Sequence, residues 1–281
     1  MGLKETLVLP VARHWISGVD MDSALKDARA ANSKGIGVVV NFLGEEIEDP
    51  STADAHAKEY VRLQQALADG GISGFPSVKL TQLGLAINEE EARRRLEVVA
   101  SNADRLGQLL WVDMEGSRFT DATISTYLEA HDSHKGLGLA VQAYMRRSEQ
   151  DLKRILDRGG RVRLVKGAYK EGRDSVFTTR DEVRQNYSKL LELLFKGGDG
   201  FAVATHDSVL IDKAKEMAGT RREGFRFEML KGIRDELKVG LSKEGYKVFE
   251  YLPYGDEWYA YSRRRIGEHP SNVWLLLRSL F

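Results

Sequence analysis

A regular alternation of short apolar runs with polar, helix-forming segments is the feature that most constrains the fold. Eight such runs recur about every 30 residues, which is the length of one strand–helix–strand repeat. They lie at 38–42, 77–80, 109–113, 138–142, 161–165, 201–205, 226–230 and 247–251. Eight such units predict an α/β fold of one domain, a (β/α)8 TIM-like barrel, with an open doubly wound sheet as the alternative.

The open sheet is disfavoured by the absence of a dinucleotide-binding glycine motif. Such a sheet would place G-x-G-x-x-G directly after its first strand. The nearest candidate contains Gly35 and Gly37, lacks the third glycine and lies before the first apolar run. The barrel is therefore the better prediction.

Two segments between the runs have the periodicity of amphipathic helices. Asn88 followed by Glu91 predicts a capped helix start, and the apolar stripes step by three and four residues. Their members are Ala92, Leu96, Val99, Ala103 and Leu106, and then Val183, Tyr187, Leu190, Leu191 and Leu194. Alternating arginines in the fifth run suit a barrel strand that turns one face into the lumen.

Composition excludes several functional classes. Lys and Arg number 42 against 42 Asp and Glu, so the basic charge typical of a nucleic-acid-binding domain is absent. There are no cysteines, which excludes disulfides, thiolate metal sites and cysteine nucleophiles. No run approaches the roughly 18 apolar residues of a membrane span. The chain is expected to be cytoplasmic, with contact to a membrane surface left open.

Polar side chains end six of the eight runs, at the face where barrels carry their chemistry. These residues are Lys79, Asp113 with Glu115, Gln142, Arg163 with Lys166, Thr205 with His206, and Tyr251. Any one of them could be an ordinary loop residue, but six together favour an active site.

The last part of the chain carries a possible anion receptor. If it is helical from Asp256, then Tyr261, Arg264, Arg265 and Glu268 fall along one face. Two guanidinium groups beside a phenol could bind a small carboxylate. A solvated basic face is an equally good interpretation of the same pattern.

Motifs for other chemistries are missing. There is no H-E-x-x-H, no Walker loop and no G-x-S-x-G. His131 and His134 have no third ligand nearby and are expected at the surface. No metal site is predicted.

Seven ordered motifs resemble those of flavin-dependent proline dehydrogenases. They are SVKLT at 77–81, VDME at 112–115, QAY at 142–144, RLVKGAY at 163–169, ATH at 204–206, FEML at 227–230 and YSRRRIGE at 261–268. The similarity covers nearly the whole chain and is greatest to the short, monofunctional form. It implies a distorted (β/α)8 barrel that binds FAD and oxidises L-proline to Δ1-pyrroline-5-carboxylate.

The resemblance also implies a division of the chain and a role for each site residue. Residues 1–36 would form an N-terminal segment and first helix, 37–255 the strands and their helices, and 256–281 a substrate-binding helix. Asp113 and Arg163 would be the central catalytic pair, with Arg163 near flavin N5. The substrate-binding residues would be Lys79, Leu230, Tyr251, Tyr261, Arg264, Arg265 and Glu268. The cofactor would be bound by Met114, Gln142, Arg163, Val165, Lys166, Gly167, Ala168, Thr205 and His206.

The resemblance also predicts an electron acceptor, and the sequence differs from the family pattern at a few positions. The resemblance implies a quinone as electron acceptor and peripheral contact with the inner face of the membrane. Lys170 and Lys231 stand where this family often has aromatics, and Asp207 where an amide is common. A related flavin barrel such as methylenetetrahydrofolate reductase, or a non-catalytic barrel that binds an acidic metabolite, is the alternative.

Overall fold

Eight parallel strands close into a barrel in the computed structural model, which describes residues 12–259, 261 and 262. The strands are β1 Gly37–Phe42, β2 Gly74–Lys79, β3 Leu110–Asp113, β4 Leu137–Gln142, β5 Arg161–Val165, β6 Phe201–Ala204, β7 Phe225–Leu230 and β8 Val248–Tyr254. Strand β8 pairs with β1 from Gly37 opposite Phe249 to Phe42 opposite Tyr254. This closure confirms the barrel and removes the open sheet.

The described helices alternate with the strands. They are α1 Met21–Asn32, α2 Pro50–Asp69, α3 Glu89–Arg105, α4 Thr120–Ser133, α5 Ser148–Leu156, α6 Arg180–Gly197, α7 Ser208–Ala218 and α8 Asp235–Lys243. Polar side chains cap the starts of α3 and α6. The Asn88 side chain accepts the Glu91 N–H at 2.9 Å, as the sequence predicts, and Thr179 with Glu182 forms a capping box before α6.

The two faces of the strands differ in chemistry. Residues such as Val38, Val112 and Leu164 are fully buried in the main core, where the helices cover the barrel. The opposite residues point into the lumen. A separate apolar cluster of Val39, Phe75, Trp111 and Ala202 lies there, with Phe249 and Tyr251 packed against it.

Aromatic rings fill the part of the lumen that precedes the polar strand ends. On β2, β3 and β8 an aromatic residue comes two positions before a polar one: Phe75 before Ser77, Trp111 before Asp113, and Phe249 before Tyr251. Gly138 makes room for Trp111, since a Cβ there would lie 2.0 Å from the indole ring. The lumen is therefore packed toward its amino-terminal end, and its carboxyl-terminal end carries the polar residues.

The structure corrects one expectation drawn from the sequence, the surface position of His131. His131 is buried at 1% exposure and stacks on Tyr127, so placing it at the surface was wrong; α4 turns it toward the core. His134 is half-buried and pairs with Asp104. Within the described residues, no helix is both long and apolar enough to span a bilayer. The division at 36 and 255 stays a prediction.

Candidate active site

A polar cluster built on β2, β3, β5 and β8 lies at the carboxyl-terminal half of the lumen. Arg163 Nη2 forms an ion pair with Asp113 Oδ1 and donates to Ser77 Oγ at 3.2 Å. Ser77 Oγ donates to Asp113 Oδ1 at 2.7 Å, and Tyr251 OH donates to Asp113 Oδ2 at 2.8 Å. Asp113 thus receives three donors, which fix both the guanidinium and the phenol.

The Arg163 guanidinium is held in place without using all its donors. Its side chain is 6% exposed, and the Trp111 and Tyr251 rings lie 5.5 Å from its Cζ. Among the described residues, however, neither Nε nor Nη1 has a hydrogen-bond acceptor. Buried donors are normally satisfied, so these two nitrogens are suited to an acceptor supplied by a ligand.

Glu228 of β7 completes the cluster from below. Its Oε1 accepts the Trp111 Nε1–H at 2.9 Å, and its Oε2 lies 3.6 Å from Arg163 Nη1. Glu228, Trp111 and Ser77 are not among the residues for which the sequence predicted a role. The missed signal is the strand period of two, because each lies two positions before a predicted site residue on its strand.

Lys79 and Glu115 form the next part of the site. Lys79 lies opposite Asp113 in the β2–β3 register and is 7% exposed. Glu115 is buried, and its carboxylate accepts the Thr81 N–H at 3.1 Å and the Thr81 hydroxyl at 2.5 Å. Burial raises the pKa of Glu115, although the Thr81 hydrogen bonds and the charge of Lys79 oppose that rise.

The predicted cofactor residues of β4 and β5 are joined through their loops. Ala143 N–H donates to Val165 O at 2.8 Å, and Tyr144 N–H donates to Lys166 O at 2.8 Å. Gly167 has a φ of +110°, and a Cβ there would lie 2.1 Å from the Tyr144 ring. The glycine is therefore required by Tyr144 packing. Gln142 Nε2 donates to Glu115 O at 2.9 Å, next to Met114.

Several cations converge on Asp207, just beyond β6. Arg184 binds its carboxylate through Nε and Nη2, both at 2.9 Å, and Lys166 Nζ lies 2.5 Å from Oδ2. Burial alone would raise the pKa of Asp207, but the hydrogen bonds from Arg184 and Lys166 dominate and hold it well below its ordinary value. Exposed Arg180 stands 3.8 Å away. This basic group beside Thr205 and Ala168 suits an anionic part of a ligand.

His206 and Leu230 are brought into contact. Leu230 N–H donates to His206 Nε2 at 2.9 Å, so a neutral ring carries its proton on Nδ1. On its other side, Leu230 O accepts from Lys238 Nζ at 3.0 Å. The main chain at the end of β7 is therefore fixed from both sides.

The remaining predicted residues fall in the segment from 256 onwards, which the sequence predicts to be helical. Tyr261 is buried in a cluster with Ala12, Trp15, Ile16, Leu43 and Trp258, and Trp15 Nε1 donates to Ser262 Oγ at 2.9 Å. Arg264, Arg265 and Glu268 lie outside the described residues, so their predicted roles stay predictions.

Comparison of the amino-acid sequence with known proteins identifies its family. A family model described as proline dehydrogenase matches residues 24–274. Proline dehydrogenase 1 of Bacillus subtilis subsp. natto is 34% identical over 272 residues, which cover 96% of this chain and 90% of that protein. Proline dehydrogenase of Deinococcus radiodurans is 32% identical over 282 residues, with the same two coverages.

Structural comparison finds the same fold. Proline utilization A of Bdellovibrio bacteriovorus, inactivated by N-propargylglycine, matches 94% of this chain with a TM-score of 0.87 and 23% identity. A variant of proline utilization A from Bradyrhizobium japonicum matches 90% with a TM-score of 0.79 and 22% identity. The chain spans about a third of the length of these solved chains (33% and 30%). At this identity the likeness shows the barrel fold alone.

Proposed function

The chain belongs to the proline dehydrogenase family, and we propose that it oxidises L-proline to Δ1-pyrroline-5-carboxylate with FAD as the hydride acceptor. FAD, when bound, supplies the chemistry by taking the hydride of proline C5 at flavin N5. The observation that carries the proposal is Arg163, whose Nε and Nη1 are buried without an acceptor among the described residues. Such donors fit the nitrogen and oxygen atoms of a flavin ring.

Arg163 would bind the flavin and favour its reduction. Asp113 and Ser77 hold Nη2, so the guanidinium keeps its orientation whether or not a ligand is present. A fixed positive charge next to a group that gains negative charge stabilises the charged product without reorganisation. We assign Met114, Gln142, Val165, Gly167 and His206 to the surrounding wall, and Lys166, Ala168 and Thr205 to the side near the basic group at Asp207.

The substrate would be bound by charge on one side and by shape on the other. Lys79 of β2, with Arg264 and Arg265, would bind the proline carboxylate, and Glu268 would pair with these cations and hold the two arginines in place. The rings of Tyr251 and Tyr261 with Leu230 would confine the pyrrolidine ring. The cations would also favour the neutral amine, which is the form that can lose a hydride.

Anaerobic absorbance spectroscopy tests this function. Purified protein should be yellow, and L-proline should bleach the flavin band under anaerobic conditions. Protein without flavin would favour the non-catalytic barrel. Bleaching by a reduced nicotinamide but not by proline would favour the folate-reductase alternative.

A quinone is the proposed electron acceptor, with peripheral contact to the inner face of the membrane. After bleaching by proline, a soluble quinone should restore the flavin band faster than dissolved oxygen does. Equal rates with quinone and oxygen would remove the quinone assignment while leaving proline oxidation intact.

A further inference from the structure

Four alternating charges cross the lumen beneath the predicted flavin site. Arg226 and Glu228 lie on β7, Arg163 on β5 and Asp113 on β3. Arg226 Nε is 3.9 Å from Glu228 Oε1, Glu228 Oε2 is 3.6 Å from Arg163 Nη1, and Arg163 pairs with Asp113. The side chains are 2–13% exposed, so solvent screens these charges little.

Arg226 is fixed at the lower end of this series. Its Cζ lies 5.2 Å from the Phe75 ring, 5.7 Å from the Trp111 ring and 5.3 Å from the Phe249 ring. Its Nη2 donates to Gly200 O at 3.0 Å. Three rings and the Gly200 carbonyl thus surround the Arg226 cation below the site, where it pairs with Glu228.

Glu228 differs from Asp113 in how it meets Arg163. Asp113 binds Nη2 directly, whereas Glu228 Oε2 approaches Nη1 without a hydrogen bond among the described residues. Glu228 is itself oriented by Trp111 through Oε1. It therefore offsets the cost of burying the guanidinium and leaves the Nη1 donor available.

We propose that Glu228 is a positioning residue that acts through Arg163: its charge offsets part of the guanidinium charge and so sets the net positive charge that the flavin meets, with Arg226 as its counter-charge. This inference rests on the proposed function, because it assumes that flavin accepts the Nε and Nη1 donors. Removing the Glu228 charge should make the site more positive and favour reduced flavin. Removing the Arg226 charge should do the opposite.

The flavin midpoint potential, measured by equilibration with a redox dye, tests this inference without proline turnover. Glu228→Gln is isosteric, and its amide oxygen can still accept from Trp111 Nε1. We expect its equilibrium constant for two-electron reduction to rise about tenfold, which is about 30 mV. Arg226→Gln should lower that constant by a similar factor. Each variant tests the inference on its own.

Glu250→Gln is the matched control. Glu250 lies on β8, one position along from the residue paired with Glu228, and its ion pair with Lys238 is on the outer face of the barrel. Glu250→Gln removes the same charge outside the lumen. The equilibrium constant for flavin reduction in this variant should therefore stay within about threefold of the wild-type value.

The outcomes separate the two proposals. Wild-type protein that holds no flavin, or whose flavin proline does not reduce, overturns the proposed function and this inference with it. Normal reduction of the wild type, with Glu228→Gln unchanged in potential or shifted in the same direction as Arg226→Gln, overturns the role of Glu228 alone. Opposite shifts with a silent Glu250→Gln support it.

Discussion

Buried cations pair with glutamates on the two faces of β7 and β8, and they differ in how completely their hydrogen-bond donors are satisfied. On the outer face Lys238 Nζ binds Glu250, Asp235 and the carbonyl oxygen of Leu230. On the lumen face, among the described residues, two Arg163 nitrogens (Nε and Nη1) have no hydrogen-bond acceptor and Glu228 Oε2 has no donor. A lysine with three partners completes a structural contact. An arginine with donors left over is prepared for a ligand.

This contrast separates charges that stabilise the barrel from charges that serve its function. Unsatisfied buried polar atoms cost free energy, and three of them, Arg163 Nε and Nη1 and Glu228 Oε2, lie together in the lumen. A ligand that accepts from Arg163 would lower that cost. The outer pair should behave as an ordinary structural feature.

The largest expected effect comes from Arg163→Met. It leaves Asp113 buried without its cation and Glu228 with Arg226 alone, and breaking a buried pair costs about 3–5 kcal/mol of unfolding free energy. Flavin binding and proline-dependent bleaching should both be lost. Urea denaturation and flavin absorbance measure the two effects.

Arg95→Met is the control for Arg163→Met. Arg95 is also buried, but it pairs with the half-exposed Asp54 outside the barrel. It should cost about 1 kcal/mol and retain flavin. Loss of flavin from both variants would mean that flavin retention reports stability and not the lumen cluster.

Lys238→Met should cost about 2 kcal/mol of unfolding free energy, because Glu250 loses a buried partner. Adding Glu250→Leu should recover part of that loss, since an apolar pair can replace a buried ion pair. Urea denaturation of both variants checks this.

In the lumen, adding Asp113→Leu to Arg163→Met should recover part of the lost stability but should not restore bleaching by proline. Bleaching by that double variant would contradict the contrast between the two faces.

Tyr251→Phe is a milder change within the site. It removes the hydrogen bond to Asp113 Oδ2 and keeps the ring beside Arg163. Under the proposed function, kcat/KM for proline should fall about tenfold, which is about 1.4 kcal/mol of transition-state stabilisation. Steady-state kinetics with a soluble quinone measures it, and an unchanged kcat/KM would place the Tyr251 hydroxyl outside the reaction.

The smallest effect concerns His131 in the core. Burial lowers the pKa of His131 below its ordinary value of 6.5, so the folded state binds fewer protons here than the unfolded state. Its contribution to stability is therefore present above pH 6.5 and is lost as the pH falls below that value. His131→Phe should lose less Tm than wild type between pH 7.5 and 5.5. His134→Asn is the control, and an equal change in the wild type and His131→Phe would contradict the assignment.

Much of the fold was predictable because strand chemistry is local. All eight predicted runs overlap the observed strands, and the alternating arginines of β5 were correctly taken as the sign of a lumen face. His131 was misplaced because its helical neighbours do not reveal which face of α4 packs inward. Lys166 illustrates a further gap: its salt bridge with Asp207 joins two loops whose approach no local pattern encodes.

The eight strand–helix units and the polar strand ends could be derived from the sequence, since period-two and helical patterns depend only on neighbouring residues. The hydrogen bond between Trp111 and Glu228, 117 positions apart and beneath Arg163, became visible only in the folded barrel. The reason is physical. Barrel closure and strand register set which lumen side chains meet, and that register is fixed by pairing between distant strands.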